Sequence, residues 1–304
     1  MNLSDQLEVF VPTHIINANS DPVIKNTMIE KTIRSAHKHL SLKNVKFNIY
    51  PDSKFKDTHP ELMNMYLDFL TKMAEKLTKD NIYCIVDNNE NTVGGLRGSW
   101  ETYVNKTKAP YMLFLEHDWK FLRNINCKNI IDTFEKNEFV NYIKLPRYKL
   151  TANYMNSICT HNNWEWMFQE VTEFQSPVPL SRISFFSGNP HFSRVSFAKD
   201  FLLRQLYING EGTKKKGGAA FEKELKQAQM KYIDSHRSCG YRGKSNPKSW
   251  GHTWHLSAPF NPGKGCIMCQ KAIARQHFDW GHYMYGGIDE EPVIDHLGDW
   301  CRKS

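Results

Sequence analysis

The sequence predicts an α/β fold with a mixed, mostly parallel central sheet flanked by helices, followed by a less regular C-terminal region. Short apolar runs alternate with segments of helical periodicity through the first half of the chain, which is the pattern of a mostly parallel α/β sheet. The end of the chain is dense in Trp, His, Gly and Cys and has little periodicity. With 304 residues, 40% of them hydrophobic, the chain can form one large domain with an appended segment.

The first two strand and helix units are predicted from apolar runs and helix-start signals. Leu7–Val11 is the first strand, and Asp21 and Pro22 suit the cap and first position of the helix that follows it, because proline has no N–H to lose there. Val45–Tyr50 is the second strand, and Pro60 begins a second helix with apolar residues at core spacing.

The next unit leads to the most apolar strand of the chain. Ile82–Val86 is the third predicted strand, a helix runs through Trp100 and Tyr103, and Tyr111–Leu115 is a strand that is apolar on both faces. Such a strand belongs in the centre of a sheet that is covered on both sides. The later predicted elements are the strands Tyr142–Leu145 and Ile183–Phe186 and a helix over residues 219–233.

The net charge and the cysteine content indicate which binding partners and which cellular compartment suit this protein. The net charge of +8 favours anionic partners such as nucleotides, nucleic acids, acidic glycans or lipid surfaces. Seven cysteines, an odd number, fit a reducing compartment better than a disulfide framework. No signal-peptide pattern or apolar run of about 20 residues is visible. We expect a cytoplasmic protein of the producing cell or its host, without a transmembrane segment, and peripheral membrane contact stays open.

Two acids follow the apolar strand directly. Glu116 and Asp118 flank His117 at its carboxyl end, where ligands bind in open α/β sheets. Two acids separated by one residue can present oxygens to one hard cation, which in turn can bridge a diphosphate. A pair of solvated acids at a strand end is the alternative interpretation.

The order of elements around these acids carries a family resemblance. The stretch from Gly94 to Trp119 resembles the passage that precedes the DXD motif of GT-A glycosyltransferases, family 2 in particular. Glu116-His117-Asp118 takes the place of that motif, with Glu in the position of the first Asp. The resemblance implies a nucleotide-sugar donor, a glycan or other hydroxyl acceptor, and Mn²⁺ or Mg²⁺ as cofactor. It assigns Glu116 and Asp118 to the metal, and Asp118 also to the donor.

The resemblance assigns four further residues to the donor. Thr13 and His14 follow the first strand, in the turn that cradles the nucleotide in family members. Asp52, after the second strand, takes the place of the acid that contacts the base. Arg97 lies where a basic side chain can reach the donor diphosphate. Ordinary turn residues and a surface arginine are the alternatives.

The second half of the chain adds acceptor-side features by the same resemblance. The segment Phe185–Arg194 is similar to the one that closes over the transferred sugar, with Gly188 permitting close backbone approach. The segment Phe221–Glu224 is similar to the acidic motif that supplies the general base of inverting enzymes, which assigns that role to Glu222 or Glu224. A charged, solvated helix face is the alternative.

A histidine near the C-terminus completes the metal assignment. Val293–Gly298 resembles the segment that returns to the metal and diphosphate in several GT-A enzymes, and this assigns His296 as a third metal ligand. Imidazole nitrogen suits Mn²⁺ beside carboxylate oxygens. A hydrogen-bonded structural histidine is the competing interpretation.

A CxxC pair raises a separate hypothesis. Cys266 and Cys269 can share a structural Zn²⁺ with other ligands of the C-terminal region. The chain has no second close pair, so ordinary reduced thiols are the alternative. The candidate partners are Cys239, Cys301, His252, His255, His277 and His282.

Two other functions are weighed against glycosyl transfer. A nucleic-acid-binding protein with a structural zinc would use the basic charge and the aromatic tail, but the lysines of residues 212–218 cluster in one loop, and we expect no nucleic-acid partner. A sugar nucleotidyltransferase would be expected to carry a Gly-rich, Arg-containing phosphate loop after its first strand, and residues 11–15 contain no glycine.

The leading prediction is a metal-dependent glycosyltransferase of the hexosyltransferase type that inverts configuration. Residues 1–120 are the predicted nucleotide-sugar-binding half of the GT-A domain, and residues 121–235 are its acceptor-side half. Residues 236–304 are the predicted irregular segment that closes the active site.

Overall fold

The computed structural model describes a sheet, the helices packed against it and the segment around the predicted acids. The described residues are 2–13, 22–51, 59–87, 96–138, 140–149, 176–182, 188–203, 225, 282–286 and 289–297. Several predicted features lie outside them: His14, Asp52, Glu222, Glu224, the strand Ile183–Phe186, the helix over 219–233 apart from Leu225, and the cysteines and histidines of the zinc hypothesis apart from the backbone of His282.

Strands and helices alternate through the first half of the chain, as predicted. The strands are β1 (Leu7–Thr13), β2 (Lys46–Pro51), β3 (Cys84–Val86), β4 (Tyr111–Phe114), β5 (Trp119–Phe121), β6 (Tyr142–Lys144), β7 (Leu180–Arg182), β8 (His191–Arg194), β9 (His282–Tyr285) and β10 (Ile294–His296). The helices are α1 (Leu3–Gln6), α2 (Pro22–His39), α3 (Pro60–Lys79), α4 (Leu96–Lys106) and α5 (Cys127–Lys136), and a π-helix covers Phe197–Leu202.

The strands form one large sheet and a small ribbon. The eight-stranded sheet has the order β3-β2-β1-β4-β8-β6-β9-β7, and β10 pairs with β5 in a two-stranded ribbon. The first four strands run parallel, β8 is antiparallel to both β4 and β6, β9 is parallel to β6, and β7 is antiparallel to β9. This topology confirms the predicted fold class, a mixed and mostly parallel sheet flanked by helices.

Helix α3 illustrates how local sequence determines these elements. Pro60 occupies its first position, where proline has no helical N–H to lose. The helix ends at Lys79, and Asn81 follows with a φ of 63°, a left-handed conformation that asparagine tolerates after a helix. The residues of its buried face recur every three or four positions, and they are Met63, Tyr66, Leu70, Met73, Ala74 and Leu77.

Alternate residues of the strands fill the cores on the two faces of the sheet. In β1, Val9 and Val11 belong to the core shared with α2 and α3, whereas Phe10 belongs to the core formed with α4. Phe10 stacks on Tyr103 of α4 at a centroid distance of 4.7 Å. All four residues of β4 are buried, because helices cover both faces of the parallel part. The polar residues that follow β4 therefore lie at the end of a buried strand inside the sheet.

The C-terminal region predicted to be irregular contributes two strands. Strand β9 lies between β6 and β7 in the large sheet, and β10 pairs with β5 immediately after the predicted acids. Both strands are three or four residues long and gain their hydrogen bonds from strands far away in sequence.

Among the helices that the structure describes, none combines the length and apolar composition that a bilayer-spanning segment requires.

Candidate functional site

The predicted acids lie in the short connection between β4 and β5. Leu115 extends β4 by donating its backbone N–H to Phe10 O of β1 at 2.9 Å. Helix α2 supports the next turn, because Thr32 Oγ1 donates to His117 O at 2.9 Å. The side chain of His117 is buried. The backbone that carries Asp118 is therefore held from both the sheet and α2.

The structure brings Asp118 and His296 into direct contact. His296 Nε2 lies 2.8 Å from Asp118 Oδ2, and the pairing of β10 with β5 places His296 opposite Trp119. The ring of His296 meets the edge of the Trp119 ring at a centroid distance of 5.1 Å. Leu297 N also donates to Asp118 O at 2.6 Å. Both the side chain and the backbone of Asp118 are thus tied to the C-terminal ribbon strand.

Asp118 is held in its charged form. Burial alone would raise the pKa of Asp118, but the hydrogen bond from His296 and the charges of His117 and His296 lower this pKa below its ordinary value. Its second oxygen, Oδ1, is buried and accepts no hydrogen bond from any residue that the structure describes. A buried carboxylate oxygen without a donor is costly unless another positive group satisfies it.

Glu116 contacts the indole of Trp119. The indole Nε1 of Trp119 donates to Glu116 Oε2 over 3.5 Å, a long hydrogen bond. Within the described part of the chain, no three side chains of His, Cys, Asp or Glu converge closely enough to hold a metal ion. Of the three residues assigned to the metal, the structure brings Asp118 and His296 together, and the metal-binding role of all three stays a prediction.

The Asp118 and His296 pair fits a divalent cation chemically. A carboxylate oxygen and an imidazole nitrogen are suitable ligands for Mn²⁺, and Mg²⁺ is commonly held by one or two carboxylates plus substrate phosphates. The buried Oδ1 of Asp118, to which none of the described residues donates a hydrogen bond, is an acceptor suited to a positive partner. Binding of a cation by both groups would displace the proton that they share. These two residues would hold the ion, with the remaining ligands supplied by oxygen atoms of a bound molecule.

Three other predicted residues lie at the same edge of the sheet. Thr13 ends β1, is buried, and shares a short hydrogen bond between its Oγ1 and Tyr66 OH. Arg97 lies in the first turn of α4, which begins at the carboxyl edge because it runs from the end of β3 back to the start of β4. Gly188 precedes β8, whose first residue, His191, pairs with the last residue of β4. Chain topology thus gathers these residues on the side where Asp118 lies.

Arg147 lies in this region and was not among the residues predicted for the site. Its guanidinium carbon lies 5.6 Å from the Trp119 ring centroid and 5.1 Å from that of Tyr148. The backbone beside it is held by β10, because Pro146 O accepts from Val293 N at 2.9 Å. The available signal was an arginine two residues after the predicted strand Tyr142–Leu145, whose carboxyl end lies at the same sheet edge as that of β4.

The acceptor-side prediction is wrong for residues 191–194. The segment Phe185–Arg194 was expected to close over the sugar, but His191–Arg194 is strand β8 between β4 and β6 in the large sheet. His191 is fully buried, and its ring centroid lies 4.9 Å from Phe114 and 4.4 Å from Tyr142. The polar residues of this strand are typical of a surface segment in the sequence. In the structure, His191 and Ser193 are buried.

Burial of His191 gives a testable pH dependence of stability. Burial lowers the pKa of His191 to about 3, against an ordinary value of 6.5, with a backbone hydrogen bond to Asn189 only partly opposing it. Unfolding therefore takes up a proton below pH 6.5, and the stability contribution of His191 is complete above that pH and lost as the pH falls. We expect this residue to contribute a slope of about 1.4 kcal/mol per pH unit between pH 6 and pH 4.

Urea unfolding at several pH values would measure this slope. His191→Phe keeps an aromatic ring against Phe114 and Tyr142 and should reduce the pH dependence by about one proton. His39→Gln is the matched control, because His39 makes an exposed hydrogen bond to Asn124. An unchanged slope in His191→Phe would show that His191 is not the group that takes up the proton.

Comparison with known proteins yields structural similarity at low identity. No protein-family model matches the chain, and no curated protein matches it. Among solved structures, S. aureus TarS 1-349 in complex with UDP has 15% identity and a TM-score of 0.41 over 75% of this chain and 55% of that one. GalNAc-T7 with UDP, GalNAc and Mn²⁺ has 12% identity and a TM-score of 0.41 over 74% of this chain and 40% of that one.

A third structure comes from a different enzyme class. A protein from Bacillus anthracis, described as a glucose-1-phosphate thymidylyltransferase in complex with sucrose, has 8% identity and a TM-score of 0.41 over 75% of this chain and 83% of that one. The match thus spans about half of the TarS 1-349 structure. It spans less than half of the GalNAc-T7 structure. Similarity at this level assigns no residue, and the roles of the residues have to be argued from the geometry of the site.

Proposed function

We propose that this protein is a nucleotide-sugar-dependent glycosyltransferase of the GT-A type, using Mn²⁺ or Mg²⁺ and inverting configuration at a hexosyl group. The observation that carries the proposal is the contact of Asp118 with His296 at the end of the buried strand β4, at 2.8 Å. This pair puts a carboxylate, one of whose oxygens is buried and receives no hydrogen bond within the described part of the chain, at the sheet edge where α/β proteins bind nucleotides.

The charge of a departing diphosphate explains why such a pair is useful. Transfer of a sugar leaves a nucleoside diphosphate, whose developing negative charge a bound divalent cation would neutralise as a Lewis acid. Asp118 and His296 would hold that cation. Thr13 and Arg97 lie at the same edge and are suited to the phosphates of the donor, and His14 and Asp52 keep their predicted roles toward the nucleotide.

The acceptor side of the proposal rests on the predicted general base. Glu222 or Glu224 would accept the proton of the acceptor hydroxyl as it attacks the sugar carbon from the face opposite the departing diphosphate. Gly188 lies beside the start of β8, next to the end of β4, where a backbone without a side chain permits close approach of a sugar. The acceptor in this proposal is a glycan or another hydroxyl compound.

Metal-dependent stabilisation by a nucleoside diphosphate is the first test. We expect one nucleoside diphosphate to raise the melting temperature in Mn²⁺ and to lose that effect in chelator. A ligand at a hundred times its Kd adds about 2.7 kcal/mol of stability if it binds only the native state. The measurement is a thermal-shift panel of nucleoside diphosphates and triphosphates with Mn²⁺, with Mg²⁺ and with chelator.

Other outcomes of the panel point to the alternative functions. Equal stabilisation with and without metal would contradict the role of Asp118 and His296. Stabilisation by a triphosphate alone, with release of pyrophosphate when a sugar 1-phosphate is added, would identify a sugar nucleotidyltransferase. Stabilisation by nucleic acid that weakens steeply with salt would identify a nucleic-acid-binding protein.

A further inference from the structure

A second group of side chains lies beside the Asp118 and His296 pair, on the surface made by β5, β10 and the segment after β6. Its centre is the ring of Trp119, whose edge meets the ring of His296 at a centroid distance of 5.1 Å. The guanidinium of Arg147 lies over the same indole at 5.6 Å. Trp119 is buried, so it fixes the positions of both neighbours.

We propose that Arg147 binds the diphosphate of the nucleotide donor, beside the pair of Asp118 and His296 that would hold the cation. This inference rests on the proposed function and adds to it a ligand-binding residue that the family resemblance did not indicate. The geometry that supports it is a chain of contacts from Arg147 through Trp119 and His296 to Asp118, the last of them at 2.8 Å.

Arg147 is held in a defined position before any ligand binds. The residue before it is attached to the start of β10, because Pro146 O accepts from Val293 N at 2.9 Å and from Ile294 N at 3.3 Å. The ring of Tyr148 lies 5.1 Å from the guanidinium on this segment. A preorganised side chain loses little conformational freedom on binding, which favours a ligand-binding role.

Contact with aromatic rings suits an arginine that also binds phosphate. The guanidinium is planar, and aromatic rings pack against the face of this plane. The N–H groups around its edge match two oxygens of a phosphate in a bidentate arrangement. Lysine, a point charge on a flexible stem, reproduces the charge without that geometry.

Other cations of the same surface form ion pairs with acidic residues. Arg123 forms an ion pair with Glu290, Lys149 pairs with Glu291 at 2.6 Å, and Lys120 lies 3.8 Å from Asp295. The Lys120 pair links the two strands of the ribbon, and the other two pairs link neighbouring segments to the residues just before β10. Arg123 therefore serves as a matched control for Arg147, since it is an arginine of the same surface that contacts a different aromatic ring, that of Tyr285 at 5.7 Å.

Calorimetry with nucleoside diphosphates separates a phosphate contact from a packing role. In saturating Mn²⁺ we expect Arg147→Met to weaken binding of the preferred nucleoside diphosphate by roughly tenfold to a hundredfold, the range for a lost charge-assisted hydrogen-bond pair. Arg147→Lys should recover part of this loss. Arg123→Met should bind the nucleotide like the unchanged protein.

The corresponding nucleoside without phosphates provides the second measurement. Its affinity should be the same in Arg147→Met and in the unchanged protein, so the ratio of the two affinities within each variant reports the phosphate contact even if the variant is less stable. Equal nucleoside diphosphate affinity in Arg147→Met, or an equal loss for nucleoside and diphosphate, would overturn the assignment. If the unchanged protein binds no nucleoside diphosphate in Mn²⁺, the proposed function fails and the role of Arg147 fails with it.

Discussion

Replacing Asp118 with Asn is expected to weaken donor binding and to slow transfer together, lowering kcat/KM by roughly a hundredfold to a thousandfold. In the unchanged protein, His296 Nε2 lies 2.8 Å from Asp118 Oδ2. Asparagine has nearly the same shape as aspartate, so its side-chain oxygen can still accept a hydrogen bond from His296. It has no negative charge, and its amide nitrogen is a donor that repels a cation. The loss therefore isolates the charge of Asp118 from its packing.

The measurements are donor affinity by calorimetry in Mn²⁺ and the rate of transfer. The backbone contact from Leu297 N to Asp118 O does not involve the side chain, so the ribbon should survive the substitution. Asp132→Asn makes the same chemical change in α5, where Asp132 pairs with Lys128 at 2.9 Å, and should leave both quantities unchanged. Full donor affinity in Asp118→Asn would remove Asp118 from the donor site.

Removal of the general base should lower the rate of transfer without weakening donor binding, unlike the loss of Asp118. Of Glu222→Gln and Glu224→Gln, one variant is expected to lower turnover by roughly a hundredfold to ten-thousandfold while its donor affinity stays nearly intact, because general-base catalysis acts in the transition state. The glutamine side chain keeps the size and polarity of glutamate but cannot accept the proton. Donor affinity and transfer rate, measured side by side, distinguish this pattern from that of Asp118→Asn.

Each of the two glutamate variants is the control for the other. Residues two apart on a helix point in different directions, so only one of Glu222 and Glu224 should face the acceptor. If both variants turn over normally, the base lies elsewhere or the enzyme retains configuration. The acidic segment would then be a solvated helix face, as the alternative interpretation had it.

The elements predicted from the sequence alone are those with a strong local pattern. The predicted strand Leu7–Val11 is β1 extended to Thr13, and Tyr111–Leu115 is β4 with one residue fewer. The helix predicted from Pro60 is α3, with the expected buried face. Apolar periodicity and capping residues determine these elements locally, so they are visible without tertiary information.

The strands β5, β8, β9 and β10 could not be predicted in the same way. They are three or four residues long, and each contains a histidine or a charged residue, whereas the equally short β4 is wholly apolar. In β8, His191 and Ser193 are buried polar residues, which makes the segment resemble a surface loop. Its hydrogen bonds come from β4 and β6, and only the assembled sheet provides them.

The same distinction applies to the candidate site. The sequence by itself determined that Asp118 follows a buried strand at the carboxyl edge of a sheet, because that strand is apolar on both faces and its context is local. Only the tertiary structure decided which residues accompany Asp118. The pairing of β10 with β5 puts His296 against it and leaves Glu116 beside Trp119, and the packing of residues 146–148 on β10 brings Arg147 over the same indole. These contacts join residues far apart in the chain, and the side-chain directions at a strand end depend on the strand that pairs there.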